Sequence, residues 1–354
     1  MNLNFFKAMD RKKTIHALSI LGDTMLLLAK NADKEAYNPL VATDYYEKMQ
    51  TAILGAKAQN GWFSEDAIRE SLQQIGERLN EEELGEWVNA YEVAKKPKSV
   101  GLILAGNIPM VGFHDVLSTL ISGHKAHIKL SRDDKVLIPV FLDILKTLQP
   151  ELTEQIQIVD NLKKVDAVIA TGSDNTARYF EKYFGHLPRI IRKNRTSVAV
   201  ITGEESKNEL KALGKDIFTY FGLGCRNVSH LILPKNYNLD LIFEAIIDYS
   251  DVINHNKYAN NYDYYKAIFL LNLQPILENG FLLTREIEDL HAPVSVLHYH
   301  FYSSKDEVDA YLNLHAEKIQ AVIGKDYLPF GAAQSPALDD YADGVNTLKF
   351  LSEL

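Results

Sequence analysis

The chain has very little cysteine, with Cys225 as the only thiol among 354 residues. A single thiol excludes an intramolecular disulfide and is typical of proteins in a reducing compartment. Long apolar runs are also lacking, because the most apolar early stretch, residues 18–29, is interrupted by Asp23. It is too short and too polar for a transmembrane helix. We therefore expect a cytoplasmic protein without an integral membrane segment.

An excess of positive charge is missing too. The chain has 38 Lys and Arg against 47 Asp and Glu, a formal net charge of -9. Proteins that bind nucleic acid usually carry a basic surface, so nucleic acid is not expected as a partner. Neither a G-x-G-x-x-G run nor a Walker A run occurs in the sequence, which excludes the two commonest phosphate-binding signatures.

What is present is the composition of a folded protein, with 46% hydrophobic and 24% charged residues. Residues 1 to about 95 show apolar positions at helical spacing, for example Ala17, Leu21 and Leu28. Beyond the polar segment 95–98, short apolar runs alternate with helical stretches. These runs are residues 99–106, 126–130, 156–159, 167–170 and 197–201. The alternation predicts an α/β protein with parallel sheets, and a second α/β region from about 197 to 330.

Three of the predicted strands end in loops with functional side chains: residues 105–109, 129–132 and 171–174. Ligands of open α/β sheets bind at the carboxyl ends of the strands. The third loop, Thr-Gly-Ser-Asp, opens a predicted helix, and a helix N-terminus can bind a phosphate. The same residues would also serve as an N-cap without any ligand.

Cys225 follows Gly222 and Gly224 and precedes Arg226. Glycines allow a ligand to approach the backbone closely, and a neighbouring cation favours the thiolate, which is the nucleophilic form. A lone cysteine is equally familiar as a small buried apolar residue. Composition alone leaves both interpretations open.

The three loops and Cys225, in this order, resemble the aldehyde dehydrogenase superfamily. The segments Gly-Asn-Ile-Pro at 106–109, Gly-Leu-Gly-Cys-Arg-Asn-Val-Ser at 222–229 and Tyr-Ala-Asp-Gly-Val at 341–345 are most similar to the fatty acyl-CoA reductase (LuxC) family. The resemblance implies an α/β fold with a Rossmann-type cofactor domain, a second α/β catalytic domain and a helical N-terminal segment. The implied domains are 1–196 for the N-terminal helices and cofactor binding, 197–331 for catalysis, and 332–354 for a return to the cofactor domain.

The resemblance also implies roles for individual residues. Cys225 would be the nucleophile, and the Asn107 amide would bind the oxyanion. Lys129, Ser131 and Arg132 would bind the adenosine ribose. The residues implied near the cofactor phosphates and the nicotinamide ribose are Thr171, Gly172, Ser173 and Asp289. No metal site is implied.

Two departures from the superfamily pattern refine the expected chemistry. Hydrolytic members carry a Glu that activates water, but residues 190–197 contain no carboxylate. A positioned base contributes about 10²–10⁴-fold, so the thioester is expected to survive until hydride or a thiol arrives. The basic run itself could be a solvated loop or a phosphate contact. Arg132 stands where an acid would bind a ribose hydroxyl, and arginine pairs well with a 2′-phosphate, which favours NADPH over NADH.

We therefore expect NADPH-dependent reduction of a long-chain acyl-CoA, or another acyl thioester, to the aldehyde. The alternatives are a cysteine acyltransferase or acyl-carrier module, a CoA-acylating aldehyde dehydrogenase, and a non-catalytic partner subunit. A homo-oligomer and an acyl-donor protein partner are both left open. His291, His298 and His300 could act near Cys225 or could be ordinary core and surface residues.

Overall fold

The computed structural model describes residues 10–354, so the first nine residues of the expected helical segment lie outside it. The chain divides into two compact units. One extends to Lys193 and takes in Ala337–Leu354, and the other is Asn194–Pro336.

From residue 10 onward, the first unit opens with four α-helices, as the apolar spacing predicts. They are α1 (Arg11–Ala29), α2 (Pro39–Gln59), α3 (Glu65–Arg78) and α4 (Glu81–Val88). The Ser64 side chain accepts the N–H of Ala67 at the start of α3. A Cβ on Gly22 would lie 2.7 Å from Leu79 Cβ, so glycine in α1 lets the end of α3 approach its backbone closely.

A five-stranded parallel sheet follows, in the order β3-β2-β1-β4-β5. Its strands are β1 (Ser99–Ile103), β2 (Lys125–Lys129), β3 (Ile156–Ile158), β4 (Ala167–Thr171) and β5 (Arg189–Arg192). The helices between them are α5 (Phe113–Ile121), α6 (Leu137–Leu148) and α7 (Asp174–Phe184). Strand β1 pairs with both β2 and β4. The three loops singled out in the sequence therefore leave the same edge of the sheet from adjacent strands.

The second unit contains a six-stranded sheet in the order β11-β6-β7-β10-β9-β8, parallel except for β8. Its strands are β6 (Thr196–Val200), β7 (Val228–Pro234), β8 (Leu277–Glu278), β9 (Leu283–Glu286), β10 (Val296–Tyr302) and β11 (Ile319–Ile323). Its helices are α8 (Lys207–Phe218), α9 (Asp240–Ala245), α10 (Asn256–Leu271) and α11 (Lys305–Leu314). The last helix, α12 (Thr347–Ser352), belongs to the first unit. The α/β prediction is thus confirmed.

The residues of the basic run at 190–197 lie in different environments, some buried and some exposed. Arg192 lies at the end of β5 and is buried, with its Nη1 bonded to Asp115 Oδ2 and its Nη2 donating to Thr347 Oγ1 at 3.0 Å. For Arg192 the solvated-loop interpretation is wrong, because its side chain is buried. A carboxylate on α5 compensates the charge, and sequence spacing does not show that pairing. Lys193 and Asn194, in contrast, are exposed.

Candidate active site

The loop that carries Asn107 packs directly on the loop after β2. A Cβ on Gly106 would lie 2.5 Å from Ser131 Oγ and 2.7 Å from Ser131 Cβ, so only glycine fits beside the serine. The backbone N–H of Leu104 donates to the Lys129 carbonyl at 3.1 Å. The expected oxyanion residue and the expected ribose-binding residues therefore stand on two loops in contact.

Asp134 joins the same two loops and was missed in the sequence. Its carboxylate is buried, and Oδ2 accepts the N–H of Met110 at 2.8 Å. Met110 has a φ of 59°, a left-handed conformation that is unfavourable for a side-chain-bearing residue. Burial raises the pKa of Asp134 to about 6, although hydrogen bonds from Met110 and Leu137 oppose that shift. In the sequence, Asp134 stands among charged residues and suggests only a solvated turn.

The loop after β2 presents its cation to solvent. Arg132 is exposed, and its carbonyl accepts Gln59 Nε2 at 2.6 Å. Ser131 Oγ accepts the Asp133 N–H at 3.2 Å. The backbone on either side of the Arg132 side chain is thus bonded to neutral groups, and the side chain itself faces solvent.

The loop after β4 is a capped helix start. Ser173 Oγ accepts the N–H of Thr176 at 3.3 Å, as the N-cap interpretation predicts. The Gly172 N–H donates to the Arg192 carbonyl at 3.2 Å. The first turn of α7 directs backbone N–H groups and the positive end of the helix dipole outward. Lys129 at the end of β2 and Arg132 in the loop after it lie two strands away in the same sheet. Together with them, this donor set fits an anionic dinucleotide.

Cys225 lies in a turn with unusual backbone geometry. After α8 ends, Tyr220, Phe221 and Gly222 have φ values of 54°, 59° and 79°. Consecutive left-handed residues with side chains are rare, and such strain clusters at functional sites. Cys225 is half-buried and is not in a disulfide, and its carbonyl accepts Ser197 Oγ at 3.1 Å. Asn227 lies buried beside this turn and hydrogen-bonds to its backbone.

The segment that carries Asp289 is held through three consecutive carbonyls. Glu288 O accepts the Tyr311 hydroxyl at 2.8 Å, and Leu290 O accepts Ser229 Oγ at 2.8 Å. Between them, the Asp289 carbonyl accepts two histidine side chains, described next. The Asp289 side chain itself is exposed. The backbone is therefore fixed from within the second unit while the carboxylate faces outward.

The hydrogen bonds of these two histidines, His230 and His298, determine which ring nitrogen carries the hydrogen. His230 Nδ1 and His298 Nδ1 lie 3.1 Å and 2.8 Å from the Asp289 carbonyl oxygen. A carbonyl only accepts, so both Nδ1 atoms carry hydrogen. In a neutral His230 ring, Nε2 is then the acceptor for His300 Nδ1 at 2.6 Å. Burial, followed by the charge of His300, lowers the pKa of His230 to about 3.

The histidines considered in the sequence analysis thus lie in different environments. His298 is buried and supports the Asp289 backbone, which is the structural alternative left open above. His291 is exposed. His230, which no sequence pattern singled out, is the most buried member of the cluster. Residues 10–354 contain no group of three or more His, Cys, Asp or Glu side chains placed to hold a metal ion.

The predicted site residues fall into two sets. Asn107, the 129–132 loop and the 171–173 loop share one edge of the first unit's sheet. Cys225 and Asp289 belong to the second unit. Among the helices described for residues 10–354, none is both long and apolar enough to span a lipid bilayer.

Comparisons with known proteins add a family and a fold. A family model described as acyl-CoA reductase (LuxC) matches residues 12–238. No curated protein sequence matches the chain.

Similar solved structures include aldehyde dehydrogenase 21 from Physcomitrella patens in complex with its reaction product succinate. It is 11% identical, with a TM-score of 0.64 over 98% of this chain and 84% of that one. An aldehyde dehydrogenase from Mycobacterium tuberculosis complexed with NAD+ is 12% identical, with a TM-score of 0.58 over 88% and 72% of the two chains. Aldehyde dehydrogenase C from Pseudomonas syringae, complexed with NAD+ and octanal, is 11% identical, with a TM-score of 0.58 over 89% and 73%. The predicted aldehyde dehydrogenase-like fold is confirmed.

Proposed function

The chain belongs to the acyl-CoA reductase (LuxC) family, and on that premise we propose that it reduces a long-chain acyl-CoA to the aldehyde with NADPH, through an acyl-enzyme on Cys225. Reduction of an acyl-CoA is the activity that the family description names. The observation that carries the covalent step is the turn before Cys225, in which two residues with side chains adopt a left-handed backbone. Such a turn suits a nucleophile that must be presented at a fixed angle.

The proposed chemistry requires little from the protein beyond position and electrostatics. The Cys225 thiolate attacks the thioester carbonyl, an S–acyl bond forms, and CoA leaves as its thiolate and takes up a proton. When bound, NADPH supplies the hydride that reduces the acyl-enzyme. The bond from carbon to Cys225 Sγ then breaks, which releases aldehyde and restores the thiolate. We assign the developing oxyanion to the Asn107 amide and the Cys225 N–H. One such donor is worth about 2.7–4 kcal/mol in acyl transfer.

We assign the cofactor to the three loops of the first unit. Lys129 and Arg132 supply cations for a 2′-phosphate, Ser131 supplies a hydroxyl for the ribose, and the 171–173 loop supplies N–H donors for the pyrophosphate. Asp289 is assigned to the nicotinamide ribose. Two of the three solved structures described above hold NAD+. The choice of NADPH rests on the exposed cation at position 132.

The fate of the thioester favours reduction over hydrolysis. Residues 190–197 contain no carboxylate that could activate water, and the Arg192 guanidinium is bonded inside the first unit. Without a general base, attack by water should be slower by about 10²–10⁴-fold. A cysteine acyltransferase would share this feature, as would a CoA-acylating aldehyde dehydrogenase, so the test must separate acyl transfer from reduction.

The test uses the full chain with labelled acyl-CoAs of graded length. Without cofactor, the enzyme should release CoA and retain label that hydroxylamine removes; added NADPH should convert that label to aldehyde. Cys225→Ala is the control, because Cys225 is the chain's only thiol. Label retained by Cys225→Ala would remove Cys225 from the role. Label that NADPH leaves untouched would favour the acyltransferase alternative.

A further inference from the structure

The turn before Cys225 is bonded by a buried side chain, Asn227, that the proposed chemistry does not use. Asn227 is 1% exposed and lies two residues after the thiol. Its Nδ2 is 3.0 Å from the Asp216 carbonyl oxygen, 3.3 Å from that of Ile217 and 2.8 Å from that of Thr219. Its Oδ1 accepts the N–H of Gly224 at 2.8 Å. One amide thus connects the end of α8 to the residue immediately before Cys225.

Only an amide suits this position. The last carbonyls of a helix have no partners within the helix, so the three carbonyl oxygens need a donor. The Gly224 N–H needs an acceptor, and Asn carries both on one rigid plane. Aspartate would bring a carboxylate against three carbonyl oxygens, and alanine would leave both sides without a partner.

The same contacts restrict the backbone on both sides of the thiol. Asn227 bonds to carbonyls that precede the left-handed residues Tyr220 and Phe221 in the chain, and to the Gly224 N–H that follows them. Ser197 Oγ holds the Cys225 carbonyl from β6, and the Asn227 N–H donates to the Gly224 carbonyl at 3.0 Å. The orientation of the Cys225 N–H and Cβ therefore depends on Asn227.

We propose that Asn227 is a positioning residue for Cys225, which fixes the thiol and the Cys225 N–H in the geometry that acyl transfer requires. The proposal rests on the proposed function only in taking Cys225 as the nucleophile. Asn227 acts through the backbone and does not touch the substrate. Its loss should therefore slow formation of the acyl-enzyme more than it weakens acyl-CoA binding.

The test compares Asn227→Ala with Asn279→Ala in the full chain. Asn279 is a matched control because it also bonds two backbone groups in the second unit, the N–H of Phe281 at 3.2 Å and that of Leu282 at 2.9 Å. Three quantities are measured: the melting temperature, the single-turnover rate of S-acylation at saturating acyl-CoA, and the pH–rate profile of Cys225 alkylation by iodoacetamide. Misplacement of a reacting group by about 1 Å can cost about 10²-fold. Asn227→Ala should therefore lose roughly 10- to 100-fold in acylation rate with little change in the acyl-CoA concentration for half saturation.

Asn279→Ala should lower the melting temperature without altering acylation or alkylation. Equal losses in the two variants would overturn the proposal, because they would show a general effect of stability. Should Asn227→Ala fail to fold, Ser197→Ala removes only the hydroxyl that bonds the Cys225 carbonyl. It should slow acylation to a smaller extent, and an unchanged rate would count against the proposal. Alkylation needs only a thiol, so it still tests Asn227 if the wild-type protein forms no acyl-enzyme and the proposed function fails.

Discussion

Asp134 Oδ2 accepts the backbone N–H of Met110 at 2.8 Å, and this bond ties the loop that carries Asn107 to the loop that carries Arg132. The carboxylate is 2% exposed. Burial raises the pKa of Asp134 to about 6, well above the ordinary value near 3.9. The two loops are thus joined by a carboxylate whose pKa is raised by burial.

We expect Asp134→Asn to change how stability depends on pH. The folded wild type binds a proton at Asp134 more tightly than the unfolded chain does. Its stability therefore falls as pH rises from about 4 to the folded pKa of about 6. The variant lacks this loss, so its free energy of unfolding relative to wild type should rise across that window and then level off. Urea unfolding at several pH values measures the difference. Asp133→Asn makes the same change at the exposed neighbour and is the control. A flat difference for Asp134→Asn would contradict the assignment.

His230 should make stability depend on pH in the opposite direction. Its pKa is lowered to about 3 by burial and by His300, with smaller contributions from His298 and His315. The unfolded chain, with an ordinary histidine pKa near 6.5, binds the proton more tightly, so stability is lost as pH falls below about 6.5. His230→Asn keeps an N–H donor for the Asp289 carbonyl but cannot be charged. It should be less sensitive to acid than wild type in the same urea measurements, with His291→Asn at an exposed position as the control. Equal acid sensitivity of wild type and His230→Asn would remove His230 as a source of acid instability.

The buried pair of Asp115 and Arg192 predicts a strongly non-additive double mutant. Both side chains are less than a tenth exposed. Arg192→Met would leave the Asp115 carboxylate buried without its cation, which typically costs about 3–5 kcal/mol. Adding Asp115→Leu removes that charge, so the double variant should regain most of the lost stability. Denaturant unfolding of all four members of the cycle provides the coupling energy.

The same strand offers a control for that cycle. Arg189 pairs with Glu181 at 2.7 Å, but both side chains are substantially exposed. Exposed ion pairs contribute about 0–1 kcal/mol, so Arg189→Met should be mild. Comparable losses from Arg189→Met and Arg192→Met would indicate that burial of the second pair is not what makes it important.

Sequence patterns predicted the strands whose buried positions are apolar. They did not predict β5, in which a buried charge is compensated by a residue distant in the sequence. The runs that became β1, β2, β4 and β6 are nearly free of charge at their buried positions, which is typical of parallel strands. The sequence Arg-Ile-Ile-Arg of β5 favours a solvated loop or a phosphate contact at Arg192. Its charge is acceptable inside because Asp115 lies next to it in space, 77 residues earlier in the chain.

Prediction of the candidate site from the sequence has the same limit, because local signals are visible and distant partners are not. Asn107, Lys129, Thr171 and Cys225 are predicted from local signals, because their loops lie at strand ends or beside glycines, and from the family resemblance that implies their roles. These roles stay predictions. The sequence does not single out Asp134 and Asn227, because their partners are backbone groups of other segments. No local pattern distinguishes a buried Asp or Asn that holds a loop from one that lies on a turn.

Arg132 gives the sharpest test of the cofactor assignment. NADPH and NADH differ by one phosphate, so a contact to that phosphate changes the ratio of the two dissociation constants and leaves common contacts unaffected. Gln59 bonds the Arg132 carbonyl at 2.6 Å, so replacing the exposed side chain should not displace the loop. A charge-assisted hydrogen bond is worth about 1.5–3 kcal/mol, so Arg132→Glu should shift the ratio toward NADH by roughly 10- to 150-fold. Fluorescence titration of each cofactor, without acyl-CoA, measures the ratio directly. Lys135→Glu makes the same charge reversal at an exposed position three residues later and should leave the ratio near the wild-type value. An unchanged ratio of dissociation constants in Arg132→Glu, or an equal shift in both variants, would mean that Arg132 does not bind the 2′-phosphate.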